Sequence, residues 1–109
     1  QKCDLLYLNL SFIEQHYSED ISIEDISSFC GLNRSYFSKV FRDTMGESPQ
    51  GFLLHYRMAR AAQLLTESRL PIRTISTMVS YPNQLHFSRA FKNVYGISPR
   101  DYRAKHFAL

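Results

Sequence analysis

Apolar residues in this chain recur at intervals of three and four, the spacing of one face of an α-helix, and nowhere alternate long enough to make a convincing strand. Leu5, Leu8, Phe12 and Ile13 mark a first helix ending near Tyr17. Ser22 and Asp25 then form an S-x-x-D capping signal ahead of Ile23, Ile26, Phe29 and Cys30, which share one face. Gly31 is placed to stop that helix, because glycine takes a positive φ at little cost. Asn33 is a fair N-cap for the next, with Tyr36, Phe37, Val40 and Phe41 expected inward and Arg34, Ser35, Ser38, Lys39 and Arg42 outward. Gly46 ends it.

Ser48 and Pro49 open a long helix that meets no glycine or proline after Gly51 and runs to Glu67, with Leu54, Met58, Ala61 and Leu65 in one apolar line and Phe52 and Tyr56 beside it. Pro71 starts a further helix with Ile72, Ile75 and Val79 inward. A turn through residues 80–83 follows, and then a helix with Phe87 and Phe91 inward. Its outward residues are Gln84, Leu85, Ser88, Arg89 and Lys92. Ser98 and Pro99, with Asp101 completing a capping box, open a short terminal helix. The expected fold is all-α, about seven helices.

The same pattern occurs twice. Residues 35–57 laid over 85–107 pair Phe37 with Phe87, Ser38 with Ser88, Lys39 with Arg89, Phe41 with Phe91, Arg42 with Lys92, Gly46 with Gly96, and Ser48-Pro49 with Ser98-Pro99. Upstream, with the offset one residue smaller, Ile23 and Ile26 meet Ile72 and Ile75, and Cys30 meets Val79. Two copies are too few for a solenoid and indicate a duplicated helix-turn-helix unit. The expected organisation is a first subdomain over 1–47, a linker helix over 48–67 and a second subdomain over 68–109. Nineteen residues of uninterrupted helix span about 28 Å. In the second unit Ser80 stands where the first has Gly31, which puts the shape of that turn in question.

Charge adds a direction. The net charge of +3 divides into eight acidic and four basic side chains over residues 1–47, against two acidic and nine basic over 48–109. Three of the four cations in the acidic half are Arg34, Lys39 and Arg42, in a stretch without an acid. Positive charge gathers where a polyanion can use it, although a solvated helix face looks similar. Cys3 and Cys30 have neither metal-ligand spacing nor an oxidising context, and Cys30 is expected to be a small core residue. No run approaches the roughly 20 apolar residues of a membrane span, and the N-terminus lacks a signal peptide, so a cytoplasmic setting without membrane contact is expected. His16, His55, His86 and His106 share no ligand spacing, and the four glycines build neither a phosphate loop nor a nucleophile elbow. Neither an enzyme nor a cofactor or metal site is expected.

With these residues in view, the chain resembles the DNA-binding domain of AraC/XylS-type transcription regulators, whose signature F-S-R-x-F-K-x-x-x-G-x-S-P-x-x-Y-R is carried by Phe87, Ser88, Arg89, Phe91, Lys92, Gly96, Ser98, Pro99, Tyr102 and Arg103. The match covers residues 5 to 106. Ser27 and Ser76 replace a common Ala, and Ser80 the usual Gly; a serine hydroxyl can turn back to the i−4 carbonyl, so packing should survive. The resemblance implies that 33–45 and 83–95 are recognition helices lying in major-groove segments. By position in the family pattern, Ser35, Ser38 and Lys39, with Gln84, Leu85, Ser88 and Arg89, would read bases. Arg89 suits guanine O6 and N7, Gln84 adenine, and Leu85 a thymine methyl. Arg34, Arg42, Asn83 and Lys92 would hold phosphates, while Arg57 and Arg103 are structural candidates. It further implies double-stranded DNA and RNA polymerase as partners, an N-terminal sensor or dimerisation domain in the same chain, and control of a metabolic or stress operon, as an activator. The alternative is a helical protein-interaction module that keeps the fold without DNA binding. A docking surface would show Leu, Tyr or Met on the outward faces, where Arg, Ser, Lys and Gln stand with only Leu85 apolar.

Overall fold

The computed structural model describes residues 2–107, with side chains from Tyr7 onward, so the expectations for Leu5 and Cys3 lie outside the described side chains. Seven helices follow one another among the described residues: α1 (Lys2–His16), α2 (Ile23–Phe29), α3 (Arg34–Met45), α4 (Pro49–Glu67), α5 (Ile72–Met78), α6 (Gln84–Tyr95) and α7 (Pro99–His106). The chain divides into two units, Gln1–Leu54 and His55–Leu109, so the division falls inside α4.

In the first unit α1, α2 and α3 pack on one another around Ile13, Ile23, Ile26, Phe37 and Phe41, all buried. The Ser22 hydroxyl accepts from the Asp25 amide and the Asp25 carboxylate accepts from the Ser22 amide, so two otherwise orphaned donors at the start of α2 are satisfied reciprocally. Helix α2 ends in a Schellman turn: the Leu32 amide donates to Ser27 O at 2.9 Å and the Gly31 amide to Ser28 O at 3.0 Å, with Gly31 at φ 75°. Phe41 meets the edge of Phe52 at 5.5 Å.

The second unit repeats most of these contacts with its own residues, although α5 starts at Pro71 without a side-chain cap. Phe91 meets the edge of Tyr102, the repeat partner of Phe52, at 5.3 Å. The Gly51 amide donates to Ser48 Oγ and the Asp101 amide to Ser98 Oγ, each at 3.1 Å, which fixes the start of α4 and of α7 alike. Met58, Ala61, Ala62 and Leu65 of α4 are buried with Ile75, Val79, Phe87 and Phe91. The questioned turn is the same Schellman turn, with the Tyr81 amide on Ser76 O at 2.8 Å and the Ser80 amide on Thr77 O at 3.0 Å. Ser80 reaches it only by taking φ 70°, the one positive φ outside glycine among the described residues.

Several side chains depart from expectation. Tyr36 is 56% exposed, because Phe37, Val40 and Phe41 already fill the inward stripe and Tyr36 sits at its edge in the first turn of α3. Phe29 is also exposed, although its ring lies 4.9 Å from that of Phe12. Cys30 is the C-cap of α2 and only half-buried, whereas its counterpart Val79 is fully buried; burial nevertheless raises its thiol pKa and favours the protonated form. Leu54 is half-buried while its neighbour Leu53 takes the core position. The serine hydroxyls do not bond at i−4: Ser27 donates to Glu24 O at 3.1 Å, and Ser76 donates forward to Tyr81 O at 2.5 Å, bracing the strained turn. At α7 only the Ser98 half of the capping box is made. Asn9 of α1 is fully buried with neither Oδ1 nor Nδ2 hydrogen-bonded.

Candidate nucleic-acid interface

Two helices of equal length, α3 and α6, present the outward residues singled out in the sequence. Each is started by an asparagine: Asn33 Oδ1 accepts from the Tyr36 amide at 2.9 Å and Asn83 Oδ1 from the His86 amide at 3.1 Å. Each ends on a left-handed glycine, Gly46 or Gly96. Paired phenylalanines, Phe37 with Phe41 and Phe87 with Phe91, are fully buried and turn the opposite face to solvent. Neither helix has an acid in its first turn, so the positive end of each backbone dipole is left uncompensated.

On α3, Arg34, Ser35, Lys39 and Arg42 are exposed and Ser38 is half-exposed; on α6, Gln84, Leu85, Arg89 and Lys92 are exposed and Ser88 is half-exposed. Leu85 is 57% exposed and is the only apolar side chain among these outward residues. Asn83 is exposed but spends its carbonyl oxygen on the cap, which leaves Nδ2 as its outward donor. Lys39 is paired with Asp43, Nζ to Oδ2 at 3.0 Å, while the position equivalent to Asp43 in α6 is the neutral Asn93. Arg103 is not on this face; it holds the end of α4 from within the second unit.

Sequence reasoning missed Tyr36 on the outward face, and its partner in the repeat, the exposed His86, was the available signal that this position is not core. It also left Arg73 and Arg100 unassigned. Both are exposed, at positions where the first unit has Glu24 and Gln50. Among the described residues no group of three or more His, Cys, Asp or Glu is placed to hold a metal, and no helix is long and apolar enough to cross a membrane. What the two faces offer is donors: guanidinium, ammonium, amide and hydroxyl groups on exposed helices, chemistry suited to base edges and phosphates.

Comparison with known proteins agrees. A family described as a helix-turn-helix domain matches residues 26–105. The chain is 35% identical over 100 residues to the lactose operon transcription activator of Staphylococcus xylosus, covering 92% of this chain and 36% of that protein. It is 34% identical over 93 residues to a probable transcriptional regulator, LumQ, of Photobacterium leiognathi, covering 85% of this chain and 38% of that protein. The chain thus spans little more than a third of the length of these curated relatives. Among solved structures, the C-terminal domain of AraT, a response regulator from Geobacillus stearothermophilus, superposes with a TM-score of 0.91 at 32% identity, covering 96% of this chain and 88% of that one. With the match extending through both helix-turn-helix units, the chain belongs to the AraC-type helix-turn-helix domain family.

Proposed function

We propose that this domain binds double-stranded DNA in a sequence-specific manner as the DNA-binding part of a bacterial transcription regulator, with α3 and α6 each entering a segment of major groove. The observation that carries the reading is the duplicated, identically capped helix with a buried Phe pair behind and a donor-rich face in front. Arg89 is the strongest candidate for base readout, since its planar fork matches guanine O6 and N7 bidentately. Ser35, Ser38, Lys39, Gln84, Leu85 and Ser88 share that role, and Arg34, Arg42, Asn83 and Lys92 fix register on phosphates. The organisation into two subdomains linked by residues 48–67 belongs to the same reading, supported by the unbroken course of α4.

Partners beyond DNA follow from the relatives. Their greater length supports an N-terminal sensor or dimerisation domain in the full regulator, and the name of the lactose operon transcription activator supports activation of an operon; contact with RNA polymerase and a cytoplasmic setting belong to the same reading. Selection of bound sequences from a random duplex library tests the reading directly. Enrichment of a two-part site, one part per unit, is expected; recovery of no enriched sequence would favour a protein-interaction module.

A further inference from the structure

The two reading helices are equivalent in cap, length and core, so a difference between them on the outward face stands out against a controlled background. Among the differences, one is a change of charge: a carboxylate present on only one of the two faces. In α3, Lys39 Nζ lies 3.0 Å from Asp43 Oδ2, one turn further along the same face. In α6 the same two positions hold Arg89 and Asn93, so that helix carries no acid.

The pair is exposed, with the Lys39 side chain 74% accessible, so it stabilises the fold little: exposed i,i+4 pairs are weak, and Lys before Asp is the less favourable order along a helix. Its consequence lies elsewhere. A carboxylate one turn from a reading cation competes with any approaching phosphate for the ammonium. We infer that Asp43 is a specificity-determining positioning residue: it withholds Lys39 from indiscriminate phosphate contact, so that Lys39 contributes to discrimination more than to affinity for any duplex. This rests on the DNA-binding reading above.

The test uses the full chain and competition titrations against salt, on the selected site and on random duplex, for the wild type, Asp43→Asn, Asp43→Glu, Lys39→Met and the double variant Lys39→Met with Asp43→Asn. Asp43→Asn is expected to strengthen binding to random duplex by about eightfold at 0.1 M salt and to steepen its salt slope by about 0.9, the effect of one added phosphate contact. Binding to the selected site should gain less, so the ratio of specific to random affinity falls. Asp43→Glu, which keeps a carboxylate, should restore the ratio. In the Lys39→Met background Asp43→Asn should leave the slope unchanged, because Asp43 acts through Lys39. An unchanged ratio in Asp43→Asn, or the same slope change with Lys39 removed, would overturn the inference while wild-type binding still stood. A wild type that bound no duplex would overturn the DNA-binding reading itself, and this inference with it.

Discussion

Arg103 donates through Nε to the carbonyl of Leu65 at 3.0 Å, a contact between residues 38 apart in sequence that closes the open end of α4. A second guanidinium nitrogen reaches Ser68 O at 3.2 Å. The last carbonyls of a helix have no partner within it, and here a planar fork from α7 supplies two donors at once.

Removing that fork should therefore cost stability and not recognition. Arg103→Ala is expected to lower unfolding free energy by about 2 kcal/mol in urea denaturation, since hydrogen bonds from a charged group are worth roughly 1.5–3 kcal/mol. Arg103→Lys should recover only part, because one ammonium cannot reproduce the fork. Lost DNA affinity at unchanged stability would instead place Arg103 on the nucleic acid.

Ser80 holds φ 70° where its counterpart Gly31 holds 75°. A left-handed conformation costs a side-chain-bearing residue on the order of 1–2 kcal/mol, partly offset in glycine by the greater freedom of its unfolded chain. Ser80→Gly should thus stabilise the protein by about 1 kcal/mol. Gly31→Ser should destabilise it by a similar amount, and through the backbone alone, because a Cβ there would meet no atom within 4 Å. Thermal melts of both variants check the pair; a loss of stability in Ser80→Gly would show that the bond from Ser76 to Tyr81 O does not hold the turn by itself.

Asn9 is buried with its amide unpaired, and an unsatisfied polar group away from water costs roughly 1–3 kcal/mol. Asn9→Leu, which keeps the branching and the number of side-chain heavy atoms, is expected to raise the urea midpoint without changing the slope of the transition. A lower midpoint would mean that the amide is satisfied in solution.

The repeat is what made most of this molecule legible. Ser22, Asn33 and Ser98 could be read as caps because each precedes a helical apolar stripe at fixed spacing, and each does accept from a backbone amide, as does Asn83, legible in the sequence only as a turn and phosphate residue. Phe37, Phe41, Phe87 and Phe91 could be read as core because two copies agree. What was not legible lies at stripe edges and in side-chain pairing. Tyr36 and Phe29 are apolar by composition but sit where the stripe is already filled, and hydrophobic periodicity alone cannot tell an edge from a centre. The Lys39–Asp43 pair needed rotamers, which the sequence does not carry.

Base readout and phosphate anchoring should separate on substitution. Arg89→Ala is expected to cost roughly 1–3 kcal/mol on the selected site and to relax preference at one or two base pairs, whereas Arg42→Ala should weaken all sequences alike. Binding to a panel of single-base variants of the site distinguishes the two. A uniform loss in Arg89→Ala would move Arg89 to the phosphate contacts.

The central claim is that these two faces bind a polyanion through several cations, and the salt dependence of duplex binding measures that most directly. With about five phosphate contacts, each releasing about 0.9 counterion, log K should fall against log salt with a slope near −4 to −5. A slope shallower than about −2 in the same competition titrations would contradict the account and leave the faces to a protein partner.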